Sequence, residues 1–99
     1  MAKPLRFHPL VADDLVSAGD WYDEISAELG NRFRDSVDAS FDAVESRSEA
    51  YGMVDPPLHA ARVNRLPYLI LFEITITTIE VLGVFHTASD PDKWRKRKG

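Results

Sequence analysis

The chain opens on a short alternation of apolar and polar residues, Leu5-Arg6-Phe7-His8, which predicts a strand. Pro9 follows where a helix can begin, because its fixed φ and missing N–H are tolerated in a first turn. Behind it Val11, Leu15, Ala18, Tyr22, Ile25 and Leu29 recur at spacings of three and four, which makes one apolar helical face. Asp13 and Asp14 suit the positive end of that helix's dipole. A break is expected over Ser26 to Gly30. A second helix is expected from near Asn31 to about Ser48, with Phe33, Val37, Phe41 and Val44 inward. Two amphipathic helices joined this closely form an antiparallel hairpin whose remaining apolar face calls for a sheet.

Gly52 and Asp55-Pro56-Pro57 end the helical part, and the period then changes to two. Ala60 to Leu66 reads as a strand containing Arg62 and Arg65. Tyr68 to Ile74 reads as a strand apolar on both faces, hence central. Ile79 to His86 reads as a third, with Ile79, Val81, Gly83 and Phe85 on one side and Glu80, Leu82, Val84 and His86 on the other. Thr75 to Thr78 lacks the Asn-Gly or Asp-Gly of a tight hairpin, yet is the expected turn because both flanks are strand-like. Asp90-Pro91 reads as a cap and first-turn proline opening a short helix towards Arg97. The pattern is that of one α+β domain over residues 1–99: a helical hairpin packed on a small, mainly antiparallel sheet.

Charge changes this picture locally. The net charge of −4 divides into 12 acidic and 5 basic residues over 1–57, and 4 acidic and 7 basic over 58–99. Five of those seven lie between Lys93 and Lys98, so an acidic body carries a basic tail. An acidic amino half argues against coating nucleic acid with the whole surface. The tail is either a solvated end or a local contact. The absence of cysteine excludes disulfides and thiolate metal sites and fits a reducing, cytoplasmic setting. Neither a signal peptide nor a membrane span is expected, since Leu66 to Ile76 is interrupted by Pro67, Glu73 and Thr75.

No phosphate-cradling glycine loop, dinucleotide fingerprint, HExxH pair or GxSxG elbow occurs, and no cofactor is expected. His86 with Asp90 and Asp92 is the one conceivable metal set. Carboxylates after a strand end more often serve turns and caps, and no metal is assigned.

The stretch Arg65-Leu66-Pro67-Tyr68, continued by the apolar strand to Glu73, resembles the ParE/RelE superfamily of toxins. So does Ile79 to His86 followed by Asp90-Pro91 and Trp94, together with Ala12, Asp14, Leu15 and Trp21-Tyr22 in the first helix and Gly30, Arg32 and Phe33 in the second. The resemblance implies the toxin of a type II toxin–antitoxin pair, silenced by a cognate antitoxin whose partly disordered segment folds over it. The ParE-like branch implies a non-enzymatic inhibitor that binds DNA gyrase. The RelE-like branch implies a ribosome-dependent mRNA endoribonuclease, in which a base, an acid and positive charge must converge on one phosphate. Here Arg62, Arg65 and His86 are the candidates. No tyrosine follows His86, and no lysine stands between Lys3 and Lys93, so the ParE-like branch is the better fit. A third reading is an inactive homologue that retains antitoxin binding. For an inhibitor, Trp94, Arg95 and Arg97 are the candidate target contacts, because aromatic residues and arginine are enriched at hot spots. For His86 and the arginines the alternatives are a packed histidine and surface charges.

Overall fold

A computed structural model describes residues 3–98. Strand β1 (Leu5–Phe7) leads into helix α1 (Val11–Ile25), which buries Val11, Ala18, Gly19 and Tyr22. Helix α2 runs Ala27–Arg47 and buries Phe33, Val37, Phe41 and Val44. It starts four residues earlier than the periodicity suggests, and Leu29 belongs to its first turn rather than to the face of α1. The cause is Ser26, whose extended backbone (φ −166°, ψ 151°) ends one helix and caps the next. Its N–H donates to the Tyr22 carbonyl at 3.0 Å, and its hydroxyl accepts the Leu29 N–H at 3.1 Å. One residue therefore reverses the chain.

Arg34 ties the two helices with a forked pair of hydrogen bonds to Asp23, 2.9 and 3.1 Å long. A β carbon at Gly30 would stand 1.5 Å from Asp23 Oδ1, so only glycine leaves that carboxylate in place. The hydrogen bonds from Arg34 hold the Asp23 carboxyl below its ordinary range and raise the guanidinium in return.

After a single 3-10 turn at Ser48–Ala50 come β2 (Met53–Asp55), β3 (Leu58–Arg62), β4 (Tyr68–Ile74) and β5 (Ile79–His86). The sheet order is β1-β5-β4-β3-β2, with β1 parallel to β5 and the other pairs antiparallel. The expected three-strand meander is present, extended by an edge strand on each side. β2 escaped the sequence reading because it is three residues long and abuts the prolines. The apolar run of β4 does occupy the centre: Ile70, Leu71 and Phe72 are all fully buried. The turn after β4 closes without glycine, because Thr75 replaces backbone partners with its side chain. Its N–H donates to the Thr78 carbonyl at 2.9 Å, and its hydroxyl oxygen accepts the Thr78 N–H at 3.0 Å.

Two details of the sheet depart from simple alternation. First, β3 ends at Arg62, not Leu66. The Leu66 N–H bonds the Val63 carbonyl at 3.1 Å, which places Asn64 and Arg65 in the middle of a tight turn. Arg65 therefore lies outside the strand, with φ of 64°. Second, Leu71 pairs with Gly83 while Phe72 pairs with Val81, so Leu82 is an extra residue, a β-bulge. The bulge moves Val84 onto the helix side with Ile79 and Val81, and these three join the core formed with α1 and α2. Gly83 and Phe85 face the opposite side. There the last helix, α3 (Pro91–Lys98), reaches from Phe85, under Arg97, to Asp55 on β2, under Arg95.

Candidate functional site

The α1-facing end of the β4–β5 ladder is aromatic. Tyr68 stands opposite His86 in the register, with ring centroids 5.2 Å apart and edge to face. Behind Tyr68 lie Phe33 at 5.5 Å and Tyr22 at 6.4 Å, and Tyr22 stacks on Phe33 and meets Trp21 edge-on. Trp21, Tyr22, Pro67, Tyr68 and His86 enclose a cleft of about 340 Å³. His86 is exposed; its Nδ1 accepts the Ala88 N–H at 3.0 Å, which leaves Nε2 as the ring nitrogen open to a ligand. Burial raises the Tyr22 and Tyr68 hydroxyls above their ordinary range, so near neutral pH both stay protonated. This cleft offers flat apolar faces with hydrogen-bonding tips, a surface suited to recognition.

Beside it, the Asp14 carboxylate fastens the end of α3 that carries Arg97. Asp14 accepts the Val84 N–H at 3.0 Å, on the outer edge of β5 that β1 no longer covers, and it also accepts a hydrogen bond from Arg97. The Arg97 guanidinium lies over the Phe85 ring, 4.6 Å from its centre. Its side chain is 14% exposed and that of Asp14 is 13%. A β carbon at Gly83 would stand 2.5 Å from both Arg97 and the Phe85 ring, so glycine is needed there to admit them. Asp14 was not foreseen as a structural hub. The signal was present: Val11, Asp14, Ala18 and Tyr22 follow a 3-4-4 spacing, which places an acid on the buried stripe.

Of the other tail residues, Arg95 pairs with Asp55 at 3.3 Å and Asp92 at 3.5 Å, and is otherwise exposed. Trp94 is half-buried, with the Arg95 guanidinium 5.5 Å from its ring centre. Asp90 and Asp92 serve the start of α3: Asp90 Oδ1 accepts the Asp92 N–H at 3.0 Å. Among the described residues no cluster of histidine and carboxylate groups fit to hold a metal forms.

The two arginines of the expected strand, Arg62 and Arg65, stand elsewhere. Arg62 is exposed at the end of β3, across from Leu69. Arg65 lines a separate cleft with Leu29, Arg32, Ser36, Asn64 and Leu66. His86 and Arg65 thus open onto different clefts, and neither arginine makes an ion pair among the described residues.

A helical hairpin capped through one serine, laid on a five-stranded mixed sheet and followed by a basic helix, makes this a small α+β protein of mixed-sheet class. A family model described as "ParE toxin of type II toxin-antitoxin system, parDE" matches residues 5–91, and the chain belongs to that family. Among solved structures it is similar to one titled "Chromosomal ParDE TA system from P. aeruginosa". That match has a TM-score of 0.76 and 16% identity over 86% of this chain and 96% of the other. The comparison with curated proteins returned no match. Among the described residues no helix is long and apolar enough to cross a membrane.

Proposed function

We propose that this chain is a cytoplasmic growth inhibitor that binds DNA gyrase without chemistry of its own, and that a cognate antitoxin silences it. The observation that carries the reading is the separation of the candidate catalytic groups. Cleavage of RNA needs a base, an acid and positive charge around one phosphate. His86 shares its cleft with aromatic rings, while Arg65 lines another with Leu29 and Leu66. Arg62 is exposed at the end of β3. The tyrosines beside His86 stay protonated, which suits recognition more than proton abstraction.

On this reading α3 is the part that meets the target. Arg97 anchors the helix on Phe85 and Asp14, and Trp94 and Arg95 present an aromatic ring and a guanidinium beside it. Family membership supports the antitoxin partner. The test is a supercoiling assay with purified gyrase. The toxin should inhibit it in proportion to dose, and the small protein encoded beside the toxin gene should relieve the block. Unimpaired supercoiling at a large molar excess of folded toxin would overturn the gyrase assignment.

A further inference from the structure

Arg65 is the one described non-glycine residue with a positive φ, 64°, at the third position of the turn Val63-Asn64-Arg65-Leu66. That position of a turn favours glycine, because a β carbon there is strained. An arginine held at such a position calls for a reason in its side chain. Among the described residues the exposed guanidinium makes no hydrogen bond or ion pair, which leaves it available to a partner. It lines a cleft of about 680 Å³ between this turn and the first turns of α2. The floor is apolar, from half-buried Leu29 and Leu66. The rim carries donors: the guanidinium groups of Arg32 and Arg65, the Ser36 hydroxyl and the Asn64 amide. Neither Ser36 nor Asn64 uses its side chain in a hydrogen bond among the described residues. Among the described residues Arg32 is held by Glu28 alone, at 3.2 Å and well exposed, a pair too weak to compete with an incoming carboxylate.

We infer that this cleft binds an acidic, aliphatic segment of a partner protein, with a carboxylate between Arg65 and Arg32 and a leucine-like side chain on Leu29 and Leu66. Two features favour a peptide over a nucleic-acid phosphate. The floor takes a hydrocarbon side chain and offers a sugar or phosphate nothing. Glu28 and Asp35, which line the adjoining surface with Arg32, repel a polyphosphate backbone but tolerate one carboxylate. The proposal deepens the antitoxin part of the function above and rests on it, since an antitoxin is the protein partner that reading supplies.

Arg65→Gly separates binding from folding. Glycine relieves the left-handed backbone and removes the guanidinium, whereas a residue held for structure alone would be missed in the thermal midpoint. The experiment titrates the full-length antitoxin encoded beside the toxin gene into wild type, Arg65→Gly and Arg65→Glu by calorimetry, and records the thermal midpoint of each free toxin. The expected result is a midpoint for Arg65→Gly unchanged or up to about 5 °C higher, with affinity at least about tenfold weaker and weaker again for Arg65→Glu. If wild type binds and Arg65→Gly and Arg65→Glu bind equally well, the inference is overturned while the antitoxin reading stands. If the antitoxin does not bind wild type, the reading falls and takes the inference with it. A lower midpoint for Arg65→Gly would show a structural arginine and also overturn it. So would a 20-nucleotide single-stranded RNA that binds wild type but not Arg65→Gly while antitoxin affinity is unchanged.

Discussion

At the β5 end of the sheet, Arg97 lies between the Asp14 carboxylate and the Phe85 ring, with little of its side chain in water. At the β3–β4 turn, Arg65 is exposed, left-handed in backbone and without an ion pair among the described residues. In the sequence both are arginines with a candidate role, Arg65 next to Leu66 and Arg97 between two lysines. What separates them is what the fold puts opposite. Arg97 meets an acid that already serves the edge of a strand, so its charge holds the molecule together. Arg65 meets leucines and other donors, so its charge is left over for a partner. A residue type common at interfaces therefore does not locate an interface until its internal partners are known.

The comparison can be broken first at its base. Phe33 is 1% exposed and touches both Tyr22 and Tyr68, so Phe33→Ala should cost about 3–5 kcal/mol. Urea denaturation would read this, and a loss under about 1 kcal/mol would mean the aromatic ladder is not the core it looks to be. Arg97→Ala comes next. It strands a carboxylate that is largely out of water, although Asp14 keeps the Val84 N–H, and a loss of about 2–3 kcal/mol is expected. Equal stability of Arg97→Ala and wild type in urea would place Arg97 with Arg65, as a free cation.

A smaller effect belongs to the helix clamp. Asp23 has its pKa depressed by the hydrogen bonds from Arg34, so its contribution is present above the unfolded-state value, near pH 4, and fades as pH falls through the folded one. The urea midpoints of wild type and Asp23→Asn should differ at pH 7 and converge as acidification protonates the folded-state carboxyl. A gap that widened on acidification would contradict the sign. The smallest change is expected at His86, which is exposed and touches one ring edge-on. His86→Ala should cost less than about 1 kcal/mol, checked by the same denaturation.

The helical hairpin, the central strand and the closing strand were legible because each carries a long run at one period. What was not legible depended on single side chains replacing backbone partners. Ser26 joins the helices without a loop, and Thr75 closes a hairpin without glycine. The bulge at Leu82 shifted the inner face of β5, which no alternation of hydrophobicity announces. For the site, His86, Arg62, Arg65 and the tail residues were visible as residue types. Their sorting into an aromatic cleft, an arginine turn and an anchored helix was not, because Asp14, 83 positions before Arg97, decides the last of these.

The central claim is that the protein acts by binding and not by cutting RNA. The most direct measurement induces it in growing cells and follows full-length messenger RNA and plasmid supercoiling over the first minutes. The expected result is arrest with transcripts intact and supercoiling lost. Transcripts cut within minutes, with the cutting absent in a folded His86→Ala variant and supercoiling preserved, would contradict it.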